Sequence, residues 1–235
     1  SDAGVLFIVK NYSGDIMNFE MAAEMMTGPS ETVLTTDDVA VEDSSFTTGR
    51  RGVAATVIVE KIVGSLAESG GSLQECKNLG DKINKNSGSM GVALSSCIVP
   101  AAGKPTFELG ADEMEFGVGI HGEPGRRRDK IKSAQEITNE LLNAIIEDLK
   151  PENKDEILLF VNGMGGTPLS ELYLIYDNAK KTLDNKNIKI VRSLVGNYCT
   201  SLEMQGASIT LTKLDQETAK HWDSAVHTPA IRWGM

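Results

Sequence analysis

At 235 residues, with 40% hydrophobic and 24% charged side chains, the chain can bury one generous core or two modest ones and has an ordinary globular composition. A formal net charge of -10 excludes a nucleic-acid binder, because phosphate contacts need clustered Lys and Arg; it fits a well-solvated surface that prefers basic partners. No apolar run approaches the roughly 20 residues needed to span a bilayer, and Ser1-Asp2-Ala3-Gly4 has no signal-peptide character. No membrane partner is therefore expected. Cys76, Cys97 and Cys199 show no CxxC spacing and cannot all pair, which fits a reduced, cytoplasmic setting.

Residues 5–9, Val-Leu-Phe-Ile-Val, form a dense apolar run suited to a fully buried, parallel strand. Such a strand rarely opens a domain, so upstream residues are expected to be missing. Asn11-Tyr12-Ser13-Gly14 leads into a helix from Asp15 to Met26, and Thr32 to Leu34 forms a second strand. One helix follows Gly52. Another begins at Ser72, where Ser72-Leu73-Gln74-Glu75 fits a capping box and Leu73, Cys76, Leu79 and Ile83 share one face. Residues 84–89 are polar and read as a loop that separates two domains, 1–87 and 88–235. Beyond it, strands are predicted over Val92 to Val99 and Met114 to Ile120. A second capping box, Ser133-Ala134-Gln135-Glu136, opens a helix carrying Ile137, Leu141, Ala144, Ile145 and Leu149. A strand over Ile157 to Val161, a glycine-rich turn, a helix through Tyr176 and strands near Ile188 to Val195 and Ala207 to Leu214 complete the pattern. Apolar strands alternating with amphipathic helices predict a layered α/β fold.

Three segments can carry chemistry. Lys10-Asn11-Tyr12-Ser13-Gly14-Asp15 joins a strand to a helix, at the strand's carboxyl end where ligands gather in α/β sheets. Here Asp15 is either a general base or the helix cap, and Lys10 either touches a substrate oxygen or is solvated. In Phe116-Gly117-Val118-Gly119-Ile120-His121-Gly122-Glu123-Pro124-Gly125, glycine and proline disfavour helix, and His121 has room for a close ligand. His121 can be a base, a nucleophile or a turn residue; a metal ligand is the weakest reading, because no second His at helical spacing and no Cys lies nearby. Asn162-Gly163-Met164-Gly165-Gly166-Thr167-Pro168-Leu169 resembles a phosphate-cradling turn but lacks the Gly-Lys-Ser/Thr ending, so a tight packing turn is the better account. His221 and His227, near Trp222 and Trp233, suit structural roles.

Taken together, Lys10 to Asp15, Gly49-Arg50-Arg51-Gly52, Val99 to Pro105, Gly117 to Gly125, Thr167 to Tyr173 and the terminal His227-Thr228-Pro229-Ala230 and Trp233-Gly234 resemble, in order, the dihydroxyacetone kinases. The resemblance implies that His121 adds to a ketone carbon to give a hemiaminal. It further implies that Asp15 takes a proton from the hydroxyl to be phosphorylated and that Lys10 contacts the substrate. Because the chain ends at Trp233-Gly234-Met235, it looks like the arrangement in which a separate partner subunit of the phosphotransferase system carries ADP and magnesium, with no cofactor in this chain. The family implies a homodimer, two layered α/β domains, the first truncated here, and a tubulin-like second domain. It also implies an upstream glycine-rich segment with another functional histidine, which this sequence lacks before residue 10. The rival reading is a dihydroxyacetone-binding paralogue that regulates transcription through a partner. A third, weaker reading is a self-sufficient nucleotide-binding enzyme using residues 162–169.

Overall fold

The computed structural model describes residues 3–40, 49–123 and 125–234. Strands β1 (Val5–Lys10) and β2 (Ser30–Thr35) pair in parallel, joined by helix α1 (Ser13–Glu24). Helices α2 (Ala55–Glu68) and α3 (Leu73–Lys85) follow. The remaining strands are β3 (Ser87–Ala93), β4 (Glu113–Phe116), β5 (Arg127–Lys130), β6 (Glu156–Gly163), β7 (Lys189–Gly196) and β8 (Gly206–Leu214). They form one mixed sheet in the order β5-β4-β3-β8-β6-β7, parallel at β6–β7 and antiparallel elsewhere. Helices α4 (Ala134–Leu149), α5 (Leu169–Asn185) and α6 (Gln216–Asp223) and a short hairpin, β9 (Val226–His227) with β10 (Arg232–Trp233), complete the fold.

The large sheet is buried on both faces, which β6 shows most directly. Ile157, Leu159 and Val161 face one apolar cluster with Leu141, Leu142 and Ile145 of α4 and Leu172 and Leu183 of α5. Leu158 and Phe160 face the other, with Ile58 and Ile62 of α2, Leu79 and Ile83 of α3, and Val33 of β2. Period-2 side-chain alternation thus turns a continuous apolar run into two cores. Helices α2 and α3 lie between the two sheets, and α4 and α5 cover the far side.

Both capping boxes form: Ser72 and Ser133 accept the N–H of Glu75 and Glu136, and those carboxylates return to the cap backbone. Several boundaries differ from the sequence reading. Residues 84–89 do not all loop, because Ser87 opens β3, and this strand ends at Ala93 rather than running to Val99. β4 stops at Phe116 rather than Ile120, since Gly117 turns the chain at φ 75°. The run at 5–9 is half-buried apart from Val9, because β1 pairs with β2 alone among the described strands. Strand β5, helix α6 and the terminal hairpin were not anticipated. No helix among the described residues is long and apolar enough to cross a membrane.

Helix α6 offers a clean test of capping. Asp215 caps it by accepting the Thr218 N–H at 2.9 Å, and it also pairs with Lys82 at 2.6 Å, tying α6 to α3. Partial burial pushes Asp215 up, but Lys82 and the Thr218 bonds outweigh this and hold it at about 2, below its ordinary 3.8. A depressed carboxylate contributes stability that is complete above 3.8 and is lost as pH falls through about 2. Asp215→Ala should therefore cost about 1 kcal/mol near neutrality, the usual cost of a lost cap, and the gap from wild type should close in acid. Urea unfolding at two pH values measures both; an equal gap at each would exclude this role.

Candidate functional site

Carboxyl ends of strands from both sheets converge on one cavity. Lys10 ends β1, the loop after β4 brings His121, and the loop after β7 brings Tyr198 and Cys199, while α2 adds Thr56 and Glu60 from its first turns. The cavity measures about 320 Å³. A larger groove of about 800 Å³ continues along α2 to the β9–β10 hairpin and shares Glu60 and Tyr198 with it.

Each wall has a local cause. Asn11 donates its side-chain amide to Arg50 O at 2.7 Å, and its N–H to Thr35 O at 3.1 Å, so the turn after β1 is tied to β2 and to the segment before α2. Asp37 accepts the N–H groups of Val53 and Ala55 at 2.9 and 3.0 Å and the Ser89 hydroxyl, fixing the start of α2 against β3. Burial pushes the Asp37 carboxyl up against the pull of those hydrogen bonds. Asn162, at the end of β6, accepts the N–H of Tyr198 and Cys199 at 3.0 and 2.9 Å and donates to Cys199 O at 2.8 Å, which sets the opposite wall. Burial raises the Cys199 thiol to about 11, with Asp37 adding and Lys10 opposing, which disfavours its thiolate. Desolvation likewise raises Glu60 although much of its side chain is exposed, and Lys10 opposes it.

The histidine loop is held from inside. Arg51 is fully buried and donates Nε to Asp38 at 2.9 Å and a terminal nitrogen to Gly117 O at 2.6 Å. Burial raises Asp38 to about 6, against the pull of Arg51. Glu123 accepts the His121 N–H at 3.1 Å and meets His121 Nδ1 at 3.0 Å. The Tyr12 ring stands edge-on to the imidazole, with centroids 4.3 Å apart. Its hydroxyl is buried and has no hydrogen-bond partner among the described residues, and burial, with Glu123 adding, raises its pKa strongly.

Of the sequence candidates, Lys10 and His121 line the same cavity. Asp15 lies in the first turn of α1, outside that lining. Tyr12 occupies the N-cap of this helix, so Asp15 is not the cap. The glycine turn at 162–169 packs as a tight turn: a side chain at Gly165 would meet Leu202 O at 1.7 Å. Three of its donors are also engaged, Gly165 N–H with Asn197 Oδ1, Gly166 N–H with Met204 O and Thr167 Oγ1 with Gly206 O. His221 is buried, bonded through Nδ1 to Ser65 Oγ at 3.0 Å, and Trp222 packs on Trp233. Among the described residues, no group of three His, Cys, Asp or Glu side chains is placed to hold a metal. Sequence reasoning did not single out Glu123, Arg51, Asp37, Asp38 or Asn162. The His-Gly-Glu spacing was a usable signal for the first, and the others depend on contacts distant in sequence.

The Dak1 domain family matches residues 1–230. The chain is 46% identical over 258 aligned positions to the dihydroxyacetone-binding subunit of the PEP-dependent dihydroxyacetone kinase of Escherichia coli K12, covering 98% of this chain and 72% of that one. It is 50% identical over 218 positions to the corresponding subunit of PTS-dependent dihydroxyacetone kinase 1 of Listeria innocua, covering 92% and 66%. Among solved structures, a dihydroxyacetone kinase operon co-activator superposes with a TM-score of 0.88 at 33% identity, covering 96% of this chain and 71% of that one. This chain belongs to the Dak1 family.

Two substitutions around the histidine loop should move stability in opposite directions. Arg51→Met leaves Asp38 buried and unpaired and should cost about 3–5 kcal/mol. Tyr12→Phe deletes an unpartnered buried hydroxyl and should be neutral or stabilising by up to about 1 kcal/mol. Denaturant titration measures both, and a strongly destabilised Tyr12→Phe would show that the hydroxyl has a partner.

Proposed function

We propose that this chain is the dihydroxyacetone-binding subunit of a phosphotransferase-system-dependent dihydroxyacetone kinase, in which His121 holds the ketone as a hemiaminal while a separate subunit bearing ADP and magnesium supplies the phosphate. The observation that carries the reading is the state of His121. Nδ1 is engaged by Glu123, the side chain is 53% exposed, and it lines a cavity with Lys10 at the carboxyl ends of strands. An imidazole anchored on one nitrogen can use the other as a nucleophile toward a carbonyl. Lys10 is assigned to a substrate oxygen. Asp15, in the first turn of α1 and not its N-cap, is assigned as the base for the hydroxyl to be phosphorylated.

The engaged amides of the 162–169 turn support placing the nucleotide on the partner rather than here. Identity of 46% and 50% to kinase subunits supports the kinase reading, while among solved structures the operon co-activator at 33% and a dihydroxyacetone kinase at 30% are about equally similar. The same proposal includes a homodimer and a division at residues 87 and 88 into two α/β units, the second tubulin-like.

Calorimetry with dihydroxyacetone tests the anchor. The full chain should bind the ketone and not glycerol, which has no carbonyl, and His121→Ala should lose the binding. Affinity equal to wild type in that variant would end the covalent reading. Asp15→Asn should keep ketone binding, yet lose about a hundredfold or more in phosphoryl transfer with the charged partner, the scale of a removed general base. Normal turnover in that variant would remove Asp15 from the mechanism.

A further inference from the structure

The loop after β4 sets one carboxylate against His121 at two points, Oε2 at its backbone N–H and Oε1 at Nδ1. The Glu123 side chain is 9% exposed against 53% for His121, so the carboxylate sits inside the loop and the imidazole reaches out from it. Burial pushes Glu123 up, but the His121 hydrogen bond and the charges of His121 and Arg51 outweigh this and keep it below the usual glutamate range. The loop is shaped around this contact: a side chain at Gly119 would meet Glu123 Oε2 at 2.0 Å and Arg51 at 2.8 Å. Tyr12 closes another side of the ring edge-on. A carboxylate is acceptor-only, so the ring nitrogen that faces it carries the hydrogen, and the lone pair is left on Nε2.

We propose that Glu123 is the positioning residue of the ketone-binding step, holding His121 as the Nδ1–H tautomer and taking up the charge that develops on the ring. The inference rests on the hemiaminal reading of His121 and adds the group that makes it work. In the step, the Nε2 lone pair forms the bond to the carbonyl carbon and the C=O π pair moves to oxygen, where a proton from solvent completes the hydroxyl. The ring becomes positive and keeps its Nδ1 proton in the hydrogen bond to Glu123. The adduct is then an imidazolium paired with the Glu123 carboxylate, neutral as a pair, with one proton taken from solvent. Because positive charge builds on the ring during addition, a carboxylate facing Nδ1 favours the adduct over the free ketone.

The test uses the full chain and two variants, Glu123→Gln, which keeps an acceptor of the same size without charge, and Glu123→Ala, which removes it. Nitrogen-15 NMR of labelled histidine reads the His121 tautomer without ligand, and calorimetry with dihydroxyacetone reads the adduct. Wild type should show the Nδ1–H form. Glu123→Ala should lose it and bind the ketone about tenfold or more weakly, the scale of a lost charge-assisted hydrogen bond, with Glu123→Gln between them. An unchanged tautomer in Glu123→Ala, or ketone affinity within about twofold of wild type, too small to be such a bond, would overturn the proposal. If a variant fails to fold, the other decides by the same criteria. If wild type binds no ketone, the reading of His121 fails separately, and the tautomer alone decides whether Glu123 positions the ring.

Discussion

The placement of His121 depends on a buried arginine. Arg51 joins three segments far apart in sequence: Asp38 after β2, its own position before α2, and Gly117 O after β4. A second arginine, Arg126, reaches back from the far end of the histidine loop to Ala40 O at 2.7 Å and to Val39 O, and its N–H closes the loop on Phe116 O at 2.7 Å. The loop is thus pinned to the β2–α2 connection at both ends. Burying the Arg51–Asp38 pair costs desolvation that its Coulomb energy does not reliably recover. In return it fixes the register between Lys10 on one sheet's strand end and His121 on the other's. A backbone bridge, Ser89 N–H to Asp37 O at 2.7 Å and Val39 N–H to Ser89 O at 2.9 Å, links the segment after β2 to β3, and the buried charges reinforce it.

The strand ends explain why the site lies on this side of the molecule. β1, β4 and β7 each lead from their carboxyl ends into it, and β6 contributes Asn162 from its own carboxyl end. This is the position where crossover connections leave a crevice in α/β folds. Here it collects residues from a two-stranded parallel sheet and from a mixed sheet that is mostly antiparallel. The alternating strand–helix pattern in the sequence therefore pointed to the right edge while leaving the pairing directions undetermined.

What was legible in the sequence follows from how local its cause is. The boxes at Ser72 and Ser133 were readable because cap and partner lie three residues apart, and β6 was readable because its apolar run is continuous. β3 was not, since Ser87-Gly88-Ser89-Met90-Gly91 has the composition of a loop. It is buried throughout because its hydroxyls find partners across the sheet, Ser87 with Thr212 at 2.8 Å and Ser89 with Thr210 at 2.7 Å. A buried polar strand is affordable only when such partners exist, and they lie more than a hundred residues away. The site divides the same way. Glycine flanks exposed His121, and the strand–helix turn exposed Lys10. Asp15, by contrast, looked like a cap because Asp favours that position, whereas Tyr12 takes it with a buried ring against His121.

The form of the cavity also bears on the proposed covalent anchor. A small molecule gains at most about 1.5 kcal/mol per non-hydrogen atom, and only in a close-fitting, dry site. The space beside His121 is about 320 Å³ and opens toward a larger groove, so a three-carbon ketone cannot fill it. Shape and dispersion then give little affinity, and hydrogen bonds from the cavity lining compete with water on nearly equal terms. On the proposed reading, a bond from imidazole nitrogen to the carbonyl carbon would replace fit with chemistry. It would select for the carbonyl, which glycerol lacks, and remove the translational freedom that phosphoryl transfer would otherwise have to overcome. Such a bond would also let the site stay open toward the larger groove, an opening that a close-fitting pocket would have to close.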